Sequence, residues 1–90
     1  MIFPNVYQIN EAYAAVEELR EHINEYGAMS VADVYHFMKR DNPNMELPSP
    51  TYRDNIVGWD HRDVHTITLH FVQGGAQIMF SEPHTLAFRV

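Results

Sequence analysis

Apolar and polar residues alternate on both sides of Gly74-Gly75. Ile67, Leu69 and Phe71 before the glycines, with Ile78 and Phe80 after them, share one face of a two-stranded ribbon. Thr66, Thr68, His70, Gln77 and Ser81 take the other face. A Gly-Gly pair suits a two-residue hairpin turn because glycine accepts positive φ without a steric cost. With Gln73 opposite Ala76, the register sets Phe71 against Ile78 and Leu69 against Phe80. A slip of one residue would mix the faces, so pattern and turn support each other.

The N-terminal half carries a different period. Val6, Ile9, Tyr13, Val16, Leu19, Ile23 and Tyr26 recur every three or four residues. They predict a helix that begins between Asn5 and Glu11 and runs to Tyr26. Asn5 with Gln8, or Asn10, supplies its N-cap, and Gly27 its C-terminal stop. A second helix starts at Ser30, with Asp33 placed for a capping box and Met29 and Val34 for a hydrophobic staple. Its apolar stripe is Val31, Val34, Tyr35 and Met38, and Lys39 and Arg40 oppose the negative end of its dipole. Gly27-Ala28-Met29 alone separates the helices, which makes them neighbours in space.

Regularity stops between Asp41 and Asn55. Pro43, Pro48 and Pro50 block helix and central strand, and the Asn, Ser and Asp residues between them favour turns. A loop of about 15 residues results, a length associated with function or mobility. Ile56 and Val57 suit a short extended piece. At the other end Leu86, Phe88 and Val90 alternate with Ala87 and Arg89, which gives room for a third strand over 86–90. The fold class that follows is α+β. Two N-terminal helices pack on one face of a small antiparallel sheet, with the hairpin at Gly74-Gly75, in a single domain over 1–90.

Composition narrows the functional classes. The 90 residues contain no cysteine, so disulfides, thiolate nucleophiles and cysteine-ligated zinc are excluded. No apolar run reaches the roughly 18 residues of a membrane span. The first residues lack the basic and apolar regions of a signal peptide. A formal net charge of −6 opposes phosphate backbones and anionic lipid, so neither nucleic acid nor membrane is the expected partner.

Ser30-Val31-Ala32-Asp33-Val34-Tyr35 resembles the "SVADLY" helix start of a family of small proteins common in actinobacterial phages. Tyr52-Arg53-Asp54-Asn55-Ile56-Val57-Gly58-Trp59 is similar to that family's "YTDxxxGW" loop, with Arg53 in place of Thr. The likeness covers residues 20–83. The 41–51 loop is longer than the family's, and Phe80-Ser81-Glu82-Pro83 stands where the family has a Pro-rich "LPxP" segment. The family is of unknown function. The resemblance implies a phage accessory protein made in the bacterial host cytoplasm, and it transfers no catalytic residue.

The residues themselves offer few sites. His61, Asp63 and His65 would share one side of an extended segment, and two histidines with a carboxylate form a workable zinc set. The alternative is a solvated strand entrance, and no metal or cofactor is assigned. No serine has a base and an orienting group within a recognisable motif, and no nucleophile elbow or phosphate-binding loop occurs, so no catalytic residue is assigned and an enzyme is not expected. Helix, short turn, helix and hairpin also sketch a winged helix, with His36, Lys39 and Arg40 on the recognition helix and Gln73–Ala76 as wing tip.

The first helix carries Glu11, Glu17, Glu18, Glu21 and Glu25 opposite its apolar stripe, relieved by Arg20. This is either a solvated face or an acidic docking surface or mimic of phosphate. Tyr52, Asp54 and Trp59 form a second candidate, with the aromatic residues as anchors. There Gly58 takes positive φ, Asp54 closes an Asx turn, and Trp59 either meets a partner or caps the core. The expected function is non-enzymatic binding of a bacterial or phage protein through Glu17, Glu18, Glu21, Tyr52, Asp54 and Trp59. A winged-helix regulator or a minor virion or assembly component are the alternatives, and a homo-oligomer is compatible with the sequence.

Overall fold

The structure, a computed structural model, describes residues 7–44 and 49–86. The fold is α+β. Helix α1 spans Ile9–Tyr26, strand β1 Ala28–Ser30, helix α2 Val31–Asp41, β2 Val57–Asp60, β3 Thr68–Val72, β4 Gly75–Met79 and β5 His84–Thr85. Single 3-10 segments cover Arg53–Asn55 and His61–Thr66.

The strands form two antiparallel sheets rather than one. β2 is the centre of the first, with β1 on one side and β5 on the other. Met29 faces Trp59 and Ser30 faces Gly58 across the β1–β2 pair, and Gly58 also faces His84 in β5. The second sheet is the β3–β4 hairpin, extended by a bridge between Tyr7 and Ala76. α1 packs on both sheets, whereas α2 packs on β1, β2 and the Arg53–Asn55 segment. Thus the helices do not share the hairpin face as the sequence pattern suggested.

The hairpin keeps the predicted faces in a different register. Leu69 faces Ile78, Phe71 faces Ala76 and Val72 faces Gly75, so the turn residues are Gln73 and Gly74. Gly74 has φ of 89° and Gln73 a negative φ, the sign pattern of a type II turn. The shift is two residues, and the side-chain period is also two, so every side chain stays on its face. Burial on that face is graded: Ala76 and Ile78 are fully buried, Leu69 half-buried, and Phe71 58% exposed. Phe71 therefore contributes little of the core burial that the pattern assigned to it.

A short strand precedes the expected one. His84 and Thr85 pair with β2, not with the hairpin, and Leu86 is buried beyond them. Residues 87–90 lie outside the described residues.

α1 begins with Gln8 as N-cap in extended backbone, without a side-chain cap bond. Asn10 is inside the helix, and Asn5 and Val6 lie outside the described residues. The buried stripe is Ala12, Val16, Leu19 and Ile23, while Ile9, Tyr13 and Tyr26 are exposed. The small Ala12, fully buried, takes a place on the buried face that the periodicity gave to larger residues. Gly27 ends the helix in the left-handed region, and its N–H donates to the Ile23 carbonyl.

α2 follows its sequence signals closely. The Ser30 hydroxyl accepts from the Asp33 N–H, and the Asp33 carboxylate accepts from the Ser30 N–H. Val31, Ala32, Val34 and Met38 are buried, with Tyr35 packed beside them. The link between the helices is no plain turn: Ala28, Met29 and Ser30 are all buried as β1.

Candidate functional site

Two regions concentrate charged side chains: the acidic side of α1, with the end of α2 beside it, and the polar cluster that follows β2.

On α1 the spacing of Glu11, Ala14, Glu18, Glu21 and Glu25 is three or four residues throughout, one stripe of the helix. All four glutamates of that stripe are exposed, and Glu17 lies one position off it. Arg20 does not neutralise the stripe. Its guanidinium reaches inward to the Ile67 carbonyl at 2.7 Å, with a side contact to Glu17 at 3.3 Å. Among the described residues Glu21 and Glu25 have no ion-pair partner.

At its N-terminal end the stripe borders a recess of about 230 Å³ lined by Tyr7, Glu11, Glu18, Asp41 and Asn42. Arg40 spans its rim, donating to Glu18 at 2.9 Å and to Asp41 at 3.0 Å. That contact holds the Asp41 carboxyl below its usual value. Two carboxylates thus meet one guanidinium, and Glu11 lines the recess without contacting it. Tyr7 forms the floor, 6% exposed, with its hydroxyl donating to the Met38 sulfur at 2.8 Å. Burial, and then the nearby Asp41 and Glu11 charges, push the Tyr7 hydroxyl up to about 12. A buried neutral phenol below exposed carboxylates gives the recess an apolar base and an anionic mouth.

The cluster after β2 is arranged differently from the zinc set. His61–Thr66 is a 3-10 segment, so His61, Asp63 and His65 do not share a side, and both histidines are exposed. The residues that converge are Asp60, Asp63 and His84, whose ligand atoms all lie within 4.8 Å of one another. Each has a structural task. The Asp60 carboxylate accepts from the Arg62 N–H at 2.8 Å, and the Asp63 carboxylate accepts from the Asp60 N–H at 3.0 Å, a reciprocal cap of the 3-10 segment. The Arg62 guanidinium adds contacts to both Asp60 oxygens and holds that carboxyl well below the usual range. His84 lies between the carboxylates, with Nε2 3.4 Å from Asp60 and Nδ1 3.5 Å from Asp63. The ensemble ties β2, the 3-10 segment and β5 together. Sequence spacing did not reveal it, because His84 arrives from about 20 residues away through the β2–β5 pairing.

The Tyr52–Trp59 segment divides between surface and core. Tyr52 is 81% exposed. Asp54 accepts from the Thr51 N–H at 2.8 Å, so it closes the turn that starts the 3-10 segment. Trp59 is fully buried against Phe80, with ring centroids 4.6 Å apart, and its indole N–H donates to the Ser81 carbonyl at 2.9 Å. It caps the core and is not available to a partner. Gly58 does not have positive φ; its backbone instead lies against β1.

Lys39 and Arg40, the cations of the winged-helix alternative, are both exposed, but Arg40 is engaged by Glu18 and Asp41. No helix among the described residues is long and apolar enough to cross a membrane. No protein-family model matches the chain, and neither does any curated protein or solved structure.

Proposed function

We propose that this protein acts without catalysis, by docking the acidic side of α1 on a basic segment of another protein. The observation that carries this reading is the exposed stripe of Glu11, Glu18, Glu21 and Glu25, which ends at the anionic recess over Tyr7. A lysine or arginine side chain fits such a recess: its methylenes meet the apolar base and its charge meets the carboxylates. The resemblance to small phage proteins supplies the setting, a phage accessory protein acting on a bacterial or phage protein in the host cytoplasm. Tyr52 offers a second exposed contact.

The test is affinity capture from phage-infected and uninfected bacterial lysate, with the native chain and with Glu17→Gln, Glu18→Gln and Glu21→Gln combined, at low and high salt. The expected result is a protein with a basic surface, retained by the native chain at low salt and lost with the triple variant or with salt. Identical capture by both chains at both salts overturns the acidic face as the docking surface. Capture of DNA that tightens in the triple variant would favour the winged-helix reading instead, because fewer carboxylates repel the phosphates.

A further inference from the structure

Among the described residues, the hairpin sheet is closed on one side and open on the other. Tyr7 bridges to Ala76 on the β4 side, through reciprocal backbone bonds of 2.8 and 2.9 Å. On the β3 side, among the described residues, no backbone hydrogen bond arrives from outside the hairpin. Natural sheet edges are commonly blunted by lysine, proline or a bulge. Thr68-Leu69-His70-Phe71-Val72 has neither lysine nor proline, and its register with β4 runs unbroken through all five residues. Although the chain carries a net charge of −6, this edge has no Asp, Glu, Lys or Arg. Phe71, 58% exposed, and the half-buried Leu69 lie on the α1 side of the strand.

We propose that two copies of this chain pair through β3, edge to edge and antiparallel, to form a continuous four-stranded sheet. The strand is complementary to itself. A two-fold axis perpendicular to the sheet requires that each residue meet one of the same parity. Centring the axis on His70 is the register that overlaps all five residues. It sets Leu69 opposite Phe71 of the second copy, twice, and joins the two apolar faces on the α1 side. Centring on Leu69 or Phe71 overlaps only three residues of each strand. Like charges do not meet along the seam, whereas association through the α1 stripe would bring glutamates together. The pairing leaves that stripe free for a different partner, so it does not rest on the docking function proposed above.

The register is testable because the chain has no cysteine. Residues directly opposite in an antiparallel pair have Cα atoms about 4.5–5.5 Å apart. That range is compatible with a disulfide. His70→Cys should therefore cross-link to a covalent dimer under mild oxidation, with a doubled mass by non-reducing electrophoresis. Thr68→Cys should not, because its two copies would be about 14 Å apart along the strands. Sedimentation of the native chain should show a concentration-dependent dimer. Phe71→Lys should lower its association constant at least about tenfold, with an unchanged circular dichroism spectrum because residue 71 is exposed. A native chain that stays monomeric at millimolar concentration overturns the proposal. So does cross-linking at position 68 as efficient as at 70, or a dimer indifferent to Phe71→Lys. Protection of 68–72 from hydrogen exchange only when another protein is added would assign the edge to a foreign strand, and would also overturn it.

Discussion

Gly58 lies so close to Met29 that a β-carbon on it would sit 2.1 Å from the Met29 carbonyl oxygen and 2.6 Å from the Ser30 Cα. Both obstacles are backbone, so neither can rotate away. Gly58→Ala must push β1 from β2 and disturb the cap that Ser30 gives α2. We expect a loss of about 3 kcal/mol or more, in the range of severe core overpacking. Gly74→Ala meets no atom within 4 Å and suffers only from its φ of 89°, so it should cost about 1 kcal/mol. Urea denaturation of the two variants checks the ranking.

Ser30→Ala should cost about 0.5–2 kcal/mol through loss of the cap. Ser30→Asp restores an N-cap acceptor but must place a charge at a position only 1% exposed, so it should not recover the native stability. Thermal unfolding of both variants distinguishes a missing hydrogen bond from a misplaced charge.

The single tryptophan reports on the core directly. Its full burial predicts blue-shifted fluorescence that moves to the red on unfolding. Trp59→Phe removes the indole donor and leaves the Ser81 carbonyl without its partner. A loss of about 2–4 kcal/mol is expected from the cavity and the lost bond together, measured by circular dichroism.

On the hairpin, Ile78→Ala should cost about 2–5 kcal/mol, as buried aliphatic truncations do. Phe71→Ala, on the same face, should cost under about 1 kcal/mol at low protein concentration because the side chain is largely exposed. Equal effects would contradict the graded burial of that face.

Two groups give opposite pH limbs. The folded-state value of Tyr7 is raised to about 12. Its contribution is whole below the unfolded tyrosine value near 10 and is lost as pH rises from there through the folded value, about 2–3 kcal/mol in all. Tyr7→Phe should flatten that alkaline limb. Asp60 is lowered, so its contribution is whole above the unfolded value near 3.9 and is lost as pH falls below it. Asp60→Asn should flatten the acid limb. Denaturation midpoints from pH 2 to 5 and from 9 to 12 check both.

Local signals in the sequence were sufficient where the physics is local. The Ser30–Asp33 box, the Gly27 stop and the two faces of the hairpin follow from contacts within four residues or from strict alternation. The pairing of β1 with β2 does not, since three buried residues with no periodicity cannot announce a partner about 30 positions away. The hairpin register is not fixed by the sequence, because either of two adjacent glycines can take the positive φ, and parity cannot separate registers two residues apart. The acidic stripe was legible from helical spacing. The recess at its end was not, since Tyr7, Asp41 and Asn42 reach it only through tertiary packing. Likewise the exposed polar pattern around residues 60–65 concealed the meeting of Asp60 and Asp63 with His84.

The bridge between Tyr7 and Ala76 also bears on how the chain is made. Tyr7, two residues before α1, finds its backbone partner almost seventy positions later, and α1 packs on a hairpin built from the last third of the sequence. On the ribosome, α1 emerges with its apolar stripe uncovered and stays so until residues 67–80 have left the exit tunnel. Folding therefore waits for those residues, with long loops to close and a slow search compared with a helical bundle of the same length. A chaperone that recognises exposed apolar helix would meet the nascent chain during that interval, and truncations ending before residue 76 should leave it without a stable fold.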